Sequence, residues 1–302
     1  IQLYRSGRIV VQIGDYRGES KEDYEFVDPK ITSFSPLHGP ASGGTQIRIY
    51  GKYLSAGSRI KAYINEHLPC EILSVDANQV ICRTSPSPGI IEGRLKMLFD
   101  NGPREFNAYN FKYVMDPSIK EVSAGPSAQI KVPKGIPAGG IQILVTGTMF
   151  KYIQSPSIYV YYRNNIYYGQ CKVITDSEMI CDSPVVDTSS DDLNADQPEE
   201  LEYGFQMDNV QQVRNLTSKQ NLKAFELYPN PVYFNFEERV KYYKSEYLTI
   251  NGRNLDRACK ESDVLVLIGK GVCNITSLSR QQLTCRPPPE AIIDPNNEAG
   301  PE

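Results

Sequence analysis

At 302 residues, with 40% hydrophobic and 10% aromatic composition, the chain is long enough for two or three domains and too apolar for a disordered one. A formal net charge of −4 advertises no nucleic-acid partner, and no apolar run approaches the roughly 18 residues of a membrane-crossing helix. Two histidines, His38 and His67, and the lack of any Cys-x-x-Cys pair leave little material for a zinc site.

Taken in order, the chain reads as short strands separated by turns. Ile9, Val11 and Ile13 alternate with polar residues, a charged turn follows, and Tyr24 and Phe26 mark a second strand. GRLKMLF, a turn, and FKYVMDP at Phe111–Pro117 repeat this pattern later. Residues 1–28 are therefore expected to be the closing hairpin of a domain whose front half lies upstream.

The stretch GPASGGTQIRIYG, Gly39 to Gly51, organises the next unit, residues 29–115. A Gly-Pro turn and a Gly-Gly pair lead into a strand that puts Ile47 and Ile49 on one face, and Gly51 closes it at a bend or bulge. Ile60, Ala62 and Ile64, then Cys70 and Ile72, then Val80 and Cys82 continue the alternation. Residues 116–229 repeat the order: AGGIQILVTG at Ala138 to Gly147, then Ile158, Val160 and Tyr162, then Cys171 with Val173, and Met179 with Cys181. An insertion rich in Asp, Ser and Glu follows, from about Asp182 to Glu202. Residues 230–302 supply SEYLTING at Ser245 to Gly252, then Val264, Val266 and Ile268, then Cys273 with Ile275, and Leu283 with Cys285. They run out through Pro287-Pro288-Pro289 before any closing hairpin. No segment has a helical period, so the chain is expected to be an all-β array of tandem sandwiches. Asp28-Pro29, Asp116-Pro117 and Asn230-Pro231 fall between units, and extended X-Pro links without a Gly/Ser tract predict a semi-rigid rod or arc.

The cysteines recur as one pair per unit, Cys70 with Cys82, Cys171 with Cys181 and Cys273 with Cys285, and read as a disulfide framework made in an oxidising compartment. Buried free thiols are the alternative. Cys259 is left over: an unpaired thiol, an interchain bridge, or a bridge to a cysteine beyond this segment. Sequons at Asn215-Leu216-Thr217 and Asn274-Ile275-Thr276 fit glycosylation in the same setting, against the alternative of unused surface asparagines. Asn274 alternates with Cys273 and Ile275 and is expected to point outward, whereas Asn215 sits in a polar, loop-like stretch. Of the tyrosines Tyr159, Tyr161, Tyr162, Tyr167 and Tyr168, only Tyr162 is expected to face the core; the others cover a sheet face or form a binding surface. Asp182, Asp187, Asp191, Asp192 and Asp196 lack the spacing of a calcium loop and read as a solvated segment. Neither a Gly-x-Ser-x-Gly elbow, a His-Glu-x-x-His motif nor a phosphate-cradling glycine loop is present, so the chain is not read as an enzyme and no cofactor is expected.

The signature GP-x-SGGT-x-I-x-I-x-G followed by paired cysteines resembles the IPT/TIG domain, an immunoglobulin-like sandwich. GKYLSAGSRI at Gly51 to Ile60 is similar to a segment of the second IPT domain of plexin receptors. YGFQMDNV at Tyr203 to Val210 is similar to a stretch of the third, and YPNPV at Tyr228 to Val232 to the opening of the fourth, with Asn230 in place of the usual Asp. The third unit has Ile-Pro-Ala before its Gly-Gly pair and the fourth has no such pair, so these turns are expected to differ in detail. The resemblance implies the extracellular stalk of a plasma-membrane receptor for semaphorins in axon guidance and cell migration. It places the semaphorin contact and the membrane span outside this chain, with receptor self-association as a further implied partner. Rivals are a hepatocyte-growth-factor-receptor-like stalk, Rel-type DNA-binding domains, against which the charge and cysteines weigh, and an accessory module of a carbohydrate-active enzyme.

Overall fold

In the computed structural model the described residues are 6–124, 131–220, 222–235 and 247–288. The chain divides into two compact units, Ile1–Asp116 and Pro117–Glu302. Ser245, Glu246 and everything from Pro289 onward, which belong to the fourth strand motif and the tail, lie outside the described residues.

In the first unit, Ser6–Ile13 and Tyr16–Glu25 form an antiparallel hairpin. Ile9, Val11 and Ile13 are exposed on it, and among the described residues no second layer covers the apolar side of the ribbon. The Arg104 guanidinium holds Asp28 beside it, with Nε 2.9 Å and Nη2 2.6 Å from Oδ1.

The remaining strands of this unit make one curled sheet, ordered Lys30–Ser35, Gln46–Lys52, Gln79–Thr84, Leu68–Val75, Ile60–Ile64, Glu92–Phe99, Gly102–Val114 and His38–Pro40. The Gly39-Pro40 step is thus a short strand lying parallel to the end of Gly102–Val114, where the sequence suggested a turn alone. The long strand Gly102–Val114 curls back over the first: the Phe34 N–H donates to Tyr109 Oη at 3.1 Å, and the rings of Phe34, Phe106 and Tyr109 pack with centroids 4.6–5.6 Å apart. Ile47, Ile49, Ile64, Val80, Leu95 and Phe111 fill the interior, all fully buried. The alternation in Gln46–Lys52 is what delivers Ile47 and Ile49 there.

In the second unit a six-stranded sheet runs Ser118–Ala124, Gln142–Thr148, Glu178–Asp182, Asn165–Val173, Ser157–Tyr162 and Tyr203–Gln206. Against it lies a small sheet of Lys134–Gly135, Phe225–Leu227 and Glu199–Leu201. The core between them holds Ile143, Val145, Val160, Tyr203, Phe205 and Phe225. A five-stranded sheet, Val232–Tyr233, Leu248–Arg253, Gln282–Arg286, Gly271–Leu278 and Val266–Ile268, encloses a smaller core of Leu255, Cys273, Leu283 and Cys285. Leu216–Gln220 forms one short α-helix, missed in a sequence whose strands supply the visible periodicity.

One backbone device recurs three times. Gly51, Gly147 and Gly252 each end the organising strand where the first strand of the repeat crosses, and a Cβ there would overlap the carbonyl oxygen of Lys30, Ser118 or Val232. Three residues on, Leu54, Phe150 and Leu255 are buried against the same glycine; the added Cβ would lie 2.8, 2.6 and 2.9 Å from their side-chain carbons. Between them Tyr53, Met149 and Asn254 turn the chain with φ of 58°, 64° and 61°. The two amides of each hook donate to a facing turn: Gly51 and Leu54 to Asn78 and Ala77, Gly147 and Phe150 to Ser177 and Asp176, Gly252 and Leu255 to Gln281 and Arg280. The Gly43-Gly44 and Gly139-Gly140 turns also match, each with positive φ at both glycines and an N–H bond from the second glycine to the carbonyl of Thr84 or Ser183. The change from Gly-Pro to Ile-Pro-Ala before the pair therefore leaves that turn unaltered.

Candidate functional site

The residues singled out in the sequence fall into two groups, the cross-strand cysteines and the loops at the junction inside the second unit. Each cysteine pair joins neighbouring strands of one sheet. Cys171 and Cys181 are direct partners, whereas Cys70 and Cys82 are offset, with Ile72 opposite Cys82 and Cys70 opposite Thr84. Cys273 and Cys285 are offset in the same sense, Ile275 facing Cys285. The three bridges are Cys70–Cys82, Cys171–Cys181 and Cys273–Cys285, closing separations of 12, 10 and 12 residues. Five of the six sulfur-bearing residues are buried; Cys171 is partly exposed. Loops this short are each stabilised by about 3 kcal/mol in the chain-entropy account.

Cys259 is a free thiol. Its S–H points at the Leu255 carbonyl, 3.2 Å away, and burial, helped by Asp263 and Asp256, pushes its pKa up to about 11. Such a thiol is protonated at neutral pH and a poor nucleophile. It borders a cavity of about 310 Å³ with Ala124, Lys134 and Arg257 on its walls. Lys134 is already engaged there, 3.4 Å from Glu226 Oε2 and above the ring of Tyr228.

All five aspartates of the acidic insertion are exposed, as its composition suggests, but the segment is ordered by a strand and by ion pairs. Glu199–Leu201 pairs with Phe225–Leu227 as a strand. Asp192 meets Arg163 at 3.4 Å. Asp196 reaches across to the following sheet, its Oδ1 3.0 Å from Arg257 Nη2 and 2.8 Å from Arg280 Nη1. The hydrogen bond from Arg280 holds the Asp196 carboxyl below its ordinary pKa, with the Arg257 charge adding to the effect. Asn230 ties the same junction: its Oδ1 accepts from Ala138 N–H at 3.0 Å, and its own N–H donates to Ser190 Oγ at 3.1 Å. Among the described residues no group of three or more His, Cys, Asp or Glu is placed to hold a metal ion.

Asn274 is exposed on Gly271–Leu278, opposite Arg286. Asn215 is partly buried, with φ of 54°, immediately before the helix Leu216–Gln220. Among the tyrosines, Tyr162 is buried as expected, but so is Tyr159, at 5% exposure. The sequence could not show this, because the residue that covers Tyr159 is Asn215, 56 positions away.

Residues 29–113 and 238–298 match the IPT/TIG domain family. Human Plexin-A3 is 29% identical over 290 residues, covering 93% of this chain and 15% of that protein. Plexin-2 of Caenorhabditis elegans is 30% identical over 303 residues, covering 94% and 16%. A solved structure of the Plexin A4 full extracellular region superposes with a TM-score of 0.71 at 27% identity, covering 95% of this chain and 23% of that one. The chain is accordingly an all-β segment carrying IPT/TIG domains. Over nearly its whole length it resembles the plexin ectodomain, and it spans about 15% of the length of the curated relatives it matches.

Proposed function

We propose that the chain is a non-catalytic extracellular stalk segment of a plexin-type receptor for semaphorins, spacing and orienting a ligand-binding head relative to the membrane in guidance and migration signalling. In this reading residues 1–28 close one IPT domain, 29–115 and 116–229 form the next two, and 230–302 begin a fourth. Semaphorin is engaged by regions outside the chain. The observation that carries the reading is the junction inside the second unit. A two-arginine clasp on Asp196 joins one sandwich to the next, and Asn230 fastens the start of the link to the sandwich that precedes it, as a spacer that must hold an angle requires. Isolated surface ion pairs contribute little, but a carboxylate shared by two arginines forms a small network, and the doubly bonded asparagine fixes where the link leaves the preceding sandwich.

The test is a spin-label distance measurement between Lys172→Cys and Lys270→Cys in a Cys259→Ser background. A single narrow distribution is expected, broadened by Asp196→Lys. A broad distribution in the otherwise native chain would show freely jointed modules and end the stalk reading.

A further inference from the structure

The strand Ser157–Tyr162 turns two faces outward from its backbone. Ile158, Val160 and Tyr162 enter the core, while Tyr159 and Tyr161 stand on the opposite side. Across the neighbouring strand Tyr168 pairs with Tyr159 and Ile166 with Tyr161; on the other flank Gly204 pairs with Tyr159. The Tyr159 ring lies 5.4 Å from that of Tyr161 and 6.0 Å from that of Tyr168, centroid to centroid. Tyr161, Ile166 and Tyr168 are 39%, 41% and 51% exposed, an apolar face beside a buried tyrosine.

Asn215 is seated at the edge of this face. Its N–H donates to Tyr159 Oη at 3.3 Å, and the Tyr159 hydroxyl donates to Asn215 Oδ1 at 3.1 Å. Gly204 makes the notch that admits it: a Cβ there would lie 2.6 Å from Tyr159 Oη and 2.8 Å from Asn215 N. The carboxamide is thereby oriented by its oxygen, while among the described residues its nitrogen has no hydrogen bond. Leu216 beside it is fully buried and anchors the turn.

We propose that Asn215 carries an N-linked glycan whose first N-acetylglucosamine lies on the Tyr161–Tyr168 face. The inference rests on the extracellular reading above. Attachment forms the bond from Nδ2 to the anomeric carbon of a lipid-linked oligosaccharide, whose diphosphate leaves with the electron pair as the amide proton passes to base. It takes place before folding, because the Thr217 hydroxyl that completes the sequon is buried in the native state. On folding, the Tyr159 hydrogen bond sets the direction of the carboxamide. The apolar C–H face of the sugar then covers the exposed rings, while the tyrosine hydroxyls stay at the wet rim.

The chain is secreted from eukaryotic cells and mapped for occupancy at Asn215 and Asn274. An Asn274→Gln form is then trimmed enzymatically to one N-acetylglucosamine at Asn215, ¹³C-labelled in its acetyl methyl. The methyl is expected to shift upfield by the ring current of a stacked tyrosine, and to return to its free position in Tyr161→Ala/Tyr168→Ala, both positions being exposed enough to leave the fold intact. An occupied Asn215 with an unshifted methyl overturns the inference. A bare Asn215 beside an occupied Asn274 overturns it too, yet leaves the extracellular reading standing. Bare asparagines at both positions together with reduced cysteines overturn both.

Discussion

Replacing Gly51 by alanine tests the hook that closes each organising strand. The added methyl would overlap the Lys30 carbonyl, a backbone atom that cannot swing aside, and press 2.8 Å from Leu54 Cδ2. Two effects oppose. Alanine narrows the unfolded ensemble and stabilises by about 0.4–1 kcal/mol. Overpacking against fixed backbone costs about 1–3 kcal/mol. The second wins, for a net loss of about 1–2 kcal/mol, which in a sandwich of this size lowers Tm by ~5–15 °C. Gly89→Ala in the same unit is the control: nothing lies within 4 Å of its added Cβ and its φ is not left-handed, so it gains about 0.4–1 kcal/mol. Both are read from urea midpoints at unchanged m. A Gly51→Ala protein as stable as the parent, or as stable as Gly89→Ala, refutes the close-approach argument.

Tyr53 sits at φ 58° and is about half exposed, so Tyr53→Asn should gain about 0.5–1 kcal/mol in thermal unfolding by relieving a left-handed residue with little packing lost. Replacing Cys70 and Cys82 together by alanine should cost about 3 kcal/mol, seen as an earlier denaturant midpoint. For Cys259 the folded-state pKa of about 11 lies above the ordinary 9.0, so native chain should react with iodoacetamide at pH 8 roughly a hundredfold slower than unfolded chain. The sign for stability follows: the protonated thiol is favoured in the fold, so its contribution is complete below pH 9 and is lost as pH rises to 11. Cys259→Ser should flatten that alkaline loss, and an unchanged pH profile would remove the thiol as its cause.

The strands were legible because half-buried β structure writes itself as alternation. Ile47 with Ile49, Ile143 with Val145, and Leu248 with Ile250 all lie on strands whose bounds the pattern marks. Val264 broke the rule: the alternation runs through it, but Glu261–Asp263 folds as a 3-10 turn and Val264 only caps it. What stayed hidden depends on partners far along the chain. Tyr159 reads as an outward residue until Asn215 is folded over it, and Asp196, exposed as its sequence suggests, shows its partner only when Arg257, 61 residues on, is brought beside it. The strand Glu199–Leu201 was hidden for a different reason, since Glu-Glu-Leu carries almost no strand propensity and is held by its pairing alone.

The cross-strand placement of the disulfides has a mechanical consequence. A bridge between neighbouring strands of one sheet does not rivet the two layers of a sandwich together. Pulled from its ends, a module could therefore unravel until only the closed loop resists, and a loop of 12 residues withholds just ~40 Å of contour length from the extension. Resistance to traction then falls to the hydrogen bonds between Lys30–Ser35 and Gln46–Lys52 and their counterparts. In those ladders the glycine hook is the point where the first strand is gripped, so the grip sets the load at which a module yields.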